Sequence, residues 1–178
     1  MQNDKLAISV AFEKALADFL RDDLCLLLNN VKEETICATL ARHMGKYYSF
    51  WDVDCEYDKI GDQGHPKLID RSRDLFLVQK EQGIIPPFIR SWQELQSSKN
   101  AVKVYPDIVV HHRGDPLGNL LDVEVKKSTN TELLLGWDEF KIRFFMEVLG
   151  YQSGLFLVFN TGKALQKNGN PIHTKLFF

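Results

Sequence analysis

The spacing of apolar residues along this chain shifts from helical to alternating and back, and each shift marks an element. Over residues 6–28 apolar side chains recur at Val10, Leu16, Phe19, Leu20, Leu24, Leu26 and Leu27, a spacing nearer to helical than to strand period. It predicts a helix broken near Arg21-Asp22-Asp23. Asn29 and Asn30 mark a turn, and a second helix is expected over about 32–47, with Cys37, Leu40, Ala41, Met44 and Tyr48 as its buried stripe. Residues 50–60 then alternate strictly, with Trp51, Val53, Cys55 and Tyr57 on one face and Asp52, Asp54, Glu56 and Asp58 on the other. That is the pattern of a strand with one buried side.

The stretch 61–100 is broken by Gly61, Gly64, Pro66, Gly83, Pro86 and Pro87, leaving room only for short elements at 75–80 and 91–96. Two apolar strands follow, over 104–111 and 120–126, joined by a turn rich in Gly, Asp, Pro and Asn. Residues 132–150 return to helical spacing, with Leu135, Phe140, Phe144, Phe145, Val148 and Leu149 on a wide apolar face and Gly150 as the stop. The unbroken apolar run 154–159 reads as a strand buried on both faces, reached from the hairpin by a βαβ crossover. Residues 160–171 are polar and turn-rich, and 172–178 read as a last edge strand. The succession helix, helix, strand, loop, strand, strand, helix, strand predicts an α/β fold.

Composition narrows this picture only a little. A chain of 178 residues, 44% hydrophobic and 26% charged, reads as one globular domain able to bury a core without disulfides. The formal charge of −2 disfavours indiscriminate coating of nucleic acid. The charge is uneven, since residues 1–58 carry six Lys/Arg against eleven Asp/Glu, a net −5 that leaves +3 for the rest. Any surface that follows phosphates is expected in the later part, where Lys67, Arg71, Arg73, Lys80, Arg90, Lys99 and Lys103 also fall. Cys25, Cys37 and Cys55 lack metal-ligand spacing and read as buried reduced thiols, which fits a cytoplasmic protein. The first residues do not read as a signal peptide, and no apolar run is long enough to span a bilayer.

The candidate chemistry lies in the hairpin. Strand alternation puts Asp122, Glu124 and Lys126 on one face and Leu121, Val123 and Val125 on the other. Asp107 follows Pro106 at the threshold of the preceding strand, so antiparallel pairing brings it towards Glu124. Two carboxylates and an ammonium converging in a half-buried place suit Mg²⁺ or Mn²⁺, which bind one or two carboxylates together with waters and phosphate oxygens. The lysine would orient a water or stabilise charge on the phosphate. Adjacent His111 and His112 point to opposite faces and so do not share a metal. Asp138 and Lys141, one helical turn apart, read as an ion pair or as solvated charges.

Pro106-Asp107 followed by Glu124-Val125-Lys126 resembles the signature of the PD-(D/E)XK nuclease superfamily. The run Trp51 to Asp58, the Pro-Asp strand and the Asn-Leu-Leu strand ending in two lysines also resemble small bacterial members of that superfamily. Two positions depart from their pattern: Asp58 stands where Asn is usual and Asp122 where an apolar residue is usual. The resemblance implies a restriction-endonuclease-like αβββαβ core over about 32–159, a mixed central sheet flanked by helices, with helix 6–28 packed on it. It implies a hydrolase cutting phosphodiester bonds of DNA, with Asp107, Glu124 and the Val125 carbonyl as metal ligands and Lys126 at the water. Many members carry an acid on the first core helix, for which Glu33 is the candidate and Glu34 the reserve. Glu33 lies one turn before Cys37 on the inward stripe, although acids also favour a helix N-terminus through the macrodipole. Glu56, near mid-strand, is the further candidate. The alternative is the same fold without catalysis, a binding module for nucleic acid or a protein partner. A homodimer is compatible with either.

Overall fold

The computed structural model describes residues 2–57, 59–60, 65–66, 105–115, 117–128 and 132–178. Helices α1 (Gln2–Asp22), α2 (Leu24–Leu28) and α3 (Glu33–Tyr47) come first, followed by β1 (Asp52–Cys55) and two short strands, β2 (Lys59–Ile60) and β3 (His65–Pro66). Then come β4 (Ile108–His111), β5 (Asn119–Lys127), α4 (Glu132–Leu149), β6 (Ser153–Phe159), α5 (Gly162–Asn168) and β7 (Ile172–Phe177). Five strands form one sheet in the order β1-β4-β5-β6-β7, antiparallel except for the parallel pair β5 and β6, which α4 connects. The expected mixed α/β architecture is therefore present. β2 and β3 form a separate two-stranded ribbon.

Alternation along β5 decides what each face of the sheet packs against. Leu121, Val123 and Val125 join Ile108, Val110, Leu155, Leu157 and Phe159 in a core closed by Phe12, Phe19, Leu27, Ile36, Leu40 and Met44 from the first three helices. Each of these large apolar side chains contributes about 1.5–3 kcal/mol by leaving water. On the opposite face α4 lays Phe144 and Phe145 against Val109 and Tyr151, and Ile142 against Phe156 and Val158. The same face carries the polar residues of β5, so Asp122 and Glu124 are fully buried beneath α4.

Gly154 shows how closely α4 approaches the sheet: a Cβ there would meet Ile142 Cγ2 at 2.2 Å and Met146 Sδ at 3.1 Å. A glycine in the strand lets helix and sheet close.

Several expectations are corrected. Asp23 interrupts the first helix as expected, but the inward stripe of α1 is Ile8, Phe12, Ala15, Leu16 and Phe19, and Val10 is exposed. The strand expected over 50–60 is only four residues long, because Glu56 takes a left-handed φ of 52° and turns the chain. Tyr57 is thereby carried to the α4 face, where its ring lies 4.4 Å from that of His111. Cys25 and Cys55 are exposed rather than buried, Cys25 on the short α2 and Cys55 at the end of edge strand β1; all three cysteines are free. Residues 162–168, expected to be turn, form α5, started after extended Thr161 and stopped by left-handed Gly169. The elements expected at 75–80 and 91–96, the basic residues from Lys67 to Lys103, Asp58, and the side chains of Leu135, Phe140 and Val148 lie outside the described residues.

Candidate active site

The hairpin register brings the sequence candidates together. Ile108 pairs with Val123 across β4 and β5, so Asp107, one step earlier, lies at the level of Glu124. The backbone completes the placement, because Val125 N–H donates to Asp107 Oδ2 at 2.8 Å. Glu56 N–H donates to the carbonyls of Pro106 (3.1 Å) and Asp107 (3.4 Å), which ties the Asp107 backbone to the turn after β1. The left-handed turn that shortens β1 thus helps hold the candidate acid.

Lys126 is the hub. Its Nζ donates to Glu33 Oε1 at 2.9 Å and to the Val125 carbonyl at 3.0 Å, and stands 3.5 Å from Asp107 Oδ2 and 3.6 Å from Asp138 Oδ2. Burial disfavours its charge, but the carboxylates of Asp107, Asp138 and Glu33 outweigh burial and raise its pKa above the usual lysine value. Lys126 is a fixed ammonium, a donor rather than a base at neutral pH.

A second lysine enters from α4. Lys141 donates to Glu124 Oε2 in a short contact and lies 3.0 Å from Asp138 Oδ1. Burial opposes its charge, yet Glu124, Asp107 and Asp138 hold it above its ordinary value. Glu124 is pushed well up, first by burial and then by the Asp107 charge, with Lys141 pulling it back. Asp138 is raised as well, by burial, against the pull of Lys141 and Lys126. Glu124 Oε1 accepts no hydrogen bond from the described residues although Glu124 is fully buried. Five carboxyls, Glu33, Asp107, Asp122, Glu124 and Asp138, thus gather around two ammoniums.

A pocket of about 370 Å³ opens beside Asp107, lined by Glu33, Glu34, Cys37, Cys55 and Glu56. Glu33, Glu56 and Asp107 therefore share one cavity, with Glu33 turned in to Lys126 and Glu56 exposed at the rim. Burial, with the charges of Asp54, Glu56 and Asp107, lifts the Cys55 thiol to about 11. It is a poor nucleophile despite its exposure.

The remaining acids of β1 are met by bases. Asp54 accepts from His111 Nε2 at 2.9 Å and is clamped by Arg113 through Nε at 2.7 Å and through a second, shorter contact. Asp52 accepts from the Arg113 backbone N–H at 3.0 Å. His112 stacks on Trp51 instead, with ring centroids 4.1 Å apart, so the adjacent histidines do face opposite sides. Asp138 and Lys141 pair as expected, but inside the protein and within the site. The signal was their spacing, since 138, 141, 142 and 145 recur on one helical face whose other members are Ile142 and Phe145.

Among the described residues no three His, Cys, Asp or Glu side chains form a ready metal cage. Mg²⁺ needs fewer protein ligands, because waters and substrate oxygens complete its shell. The surplus of carboxyls and the donor-less Oε1 of Glu124 are chemically suited to such a cation.

Neither family models, nor curated proteins, nor solved structures give a match to this chain. No helix among the described residues is long and apolar enough to cross a membrane.

Proposed function

We propose that this protein is a Mg²⁺- or Mn²⁺-dependent nuclease of the PD-(D/E)XK kind that hydrolyses phosphodiester bonds, with DNA as substrate. The observation that carries the reading is the convergence of half-buried Asp107 with buried Glu124 and Lys126, with Glu124 Oε1 lacking a donor among the described residues. Leaving aside the separate β2-β3 ribbon, the order α3, β1, β4, β5, α4, β6, with the parallel pair β5 and β6 joined by α4, supports the αβββαβ core.

Asp107, Glu124 and the Val125 carbonyl would hold the cation, which when bound supplies a Lewis acid for the phosphate and activates water. Lys126 stays charged and is held by Glu33 and the Val125 carbonyl, so its ammonium is preorganised to hold a water or to meet charge developing on a phosphate oxygen. Glu33 positions Lys126. Glu56, at the rim of the pocket, would assist or hold a second ion.

A polyanion approaches the acidic pocket unfavourably unless cations offset it, which makes divalent metal part of binding as well as of chemistry. The competing reading, a binding module without catalysis, draws on Lys141, which already neutralises Glu124 from within the fold.

Linear, circular and single-stranded DNA, and RNA, should be incubated with Mn²⁺ and with EDTA, using the parent and Lys126→Ala. Metal-dependent cleavage of DNA by the parent alone supports the nuclease and separates end from interior attack. Absence of cleavage on every substrate together with absence of Mn²⁺ binding overturns it in favour of the binding module.

A further inference from the structure

Lys141 is the one buried ammonium at this site, among the described residues, to which the proposed chemistry gives no task. It comes from α4, away from the hairpin that supplies Asp107, Glu124 and Lys126, and its ammonium reaches Glu124 on β5. Stability alone is a weak reason for it, since a buried ion pair often does no better than apolar residues of the same volume. Its placement is selective. Of the two oxygens of Glu124, Oε2 accepts from Lys141, while Oε1 accepts from none of the described residues. Asp138, itself buried and one turn earlier on the same helix, holds the ammonium at 3.0 Å.

Resting on the metal-dependent reading above, we propose that Lys141 is a positioning residue that sets which divalent cation the site accepts, by limiting Glu124 to one ligating oxygen. Ca²⁺ takes six to eight oxygens in flexible geometry and readily uses both oxygens of a carboxylate. Mg²⁺ is smaller, demands octahedral geometry and is content with one oxygen from each of one or two carboxylates. A Glu124 held at Oε2 offers what Mg²⁺ and Mn²⁺ use and withholds what Ca²⁺ gains from. The positive charge beside it weakens every divalent cation alike, so the selectivity comes from the withheld oxygen, and affinity and selectivity separate in experiment.

Mn²⁺ and Ca²⁺ binding should be measured by calorimetry at one pH and ionic strength for the parent, Lys141→Met and Lys141→Arg. With Oε2 released in Lys141→Met, the ratio of Ca²⁺ to Mn²⁺ affinity should rise at least about tenfold, while Lys141→Arg, which keeps a donor on Oε2, should hold the parent ratio. Where Lys141→Met does not fold, Lys141→Ala likewise leaves Oε2 without a side-chain donor, and the same rise is expected. An unchanged ratio in a folded variant that binds Mn²⁺ overturns this role and leaves the metal-dependent reading standing. A parent that binds neither ion overturns both.

Discussion

Lys126 and Glu33, 93 residues apart in the chain, meet at 2.9 Å and join the end of β5 to the first turn of α3. The ammonium that this contact fixes also touches Asp107 and Asp138, so one side chain links three separate elements and the strand threshold at Asp107. Loss of the Lys126 charge should therefore act on chemistry more than on metal. In Lys126→Met we expect cleavage to fall at least about a thousandfold with Mn²⁺ affinity kept within a few-fold, since the change removes a charge that acts on the transition state. Glu33→Gln keeps an acceptor for Lys126 but not its charge, and a loss of about ten- to a hundredfold in kcat is expected. Single-turnover cleavage beside calorimetric Mn²⁺ titration separates the two effects; a Lys126→Met variant that lost Mn²⁺ binding would sink the assignment of Lys126 to the reacting groups.

Asp107 has two roles with separable readouts. Its Oδ2 accepts the Val125 N–H, and its carboxylate is one of two proposed side-chain ligands. Asp107→Ala should abolish Mn²⁺ binding, and it should also cost about 1–3 kcal/mol of stability by leaving a partly buried N–H without its acceptor. Asp107→Asn keeps an acceptor oxygen and should recover most of that stability without recovering metal. Urea unfolding of both variants, with metal binding measured alongside, checks the distinction. Mn²⁺ bound by Asp107→Ala as tightly as by the parent would rule Asp107 out as a ligand.

The sequence made β5 and its partners legible because the period of two is strict there: every residue from Leu121 to Lys126 lies on the face its position implies. The stripe of α3 was equally clear, with Cys37, Leu40, Ala41, Met44 and Tyr48 all buried. What could not be read was where alternation ends. Glu56 adopts a left-handed backbone without being glycine, a state imposed by its N–H bonds to the Pro106 and Asp107 carbonyls and thus by a strand distant in sequence. Asp138 and Lys141 were visible as a pair, but their burial depends on α4 lying over the acidic face of β5, which is a tertiary fact. The short α5 has only Ala164 and Leu165 as apolar residues, too few to show a period.

The clamp on Asp54 gives acid stability of definite sign. Hydrogen bonds from Arg113, offset in part by burial and reinforced by His111, hold its carboxyl below the ordinary aspartate value. A carboxyl lowered on folding contributes stability that is present above its unfolded pKa, about 3.9, and is lost as pH falls through the lower folded value. Glu124, raised by burial, has the opposite sign: its contribution is present at low pH and is lost as pH rises. Asp54→Asn isolates the first effect. Near pH 6 it should cost about 1–2 kcal/mol, a figure held down because Arg113 is largely exposed, and the difference from the parent should shrink towards pH 3. Urea unfolding at pH 3, 4 and 6 tests this, and a difference independent of pH would remove Asp54 from the acid limb.

Gly154 connects the packing of the fold to the site. The methyl of an alanine there would stand 2.2 Å from Ile142 Cγ2, and Ile142 is the residue next to Lys141 on α4. Two apolar groups cannot share that space, so either Ile142 leaves its position against Phe156 and Val158 or α4 lifts from β6. Overpacking of this kind costs about 1–3 kcal/mol, and Gly154→Ala should lower Tm accordingly. A lift of α4 would also move Lys141 and Asp138, which share the displaced turn, away from Glu124 and Lys126. We therefore expect Gly154→Ala to alter Mn²⁺ affinity by several-fold, although residue 154 is not itself part of the charged cluster. The double variant Gly154→Ala with Ile142→Leu removes the β-branch methyl that clashes, at nearly constant side-chain volume, and should restore both Tm and affinity. Recovery of Tm without recovery of affinity would show that α4 position and metal binding are independent. Recovery of the two together would tie the charged cluster to the helix that covers it.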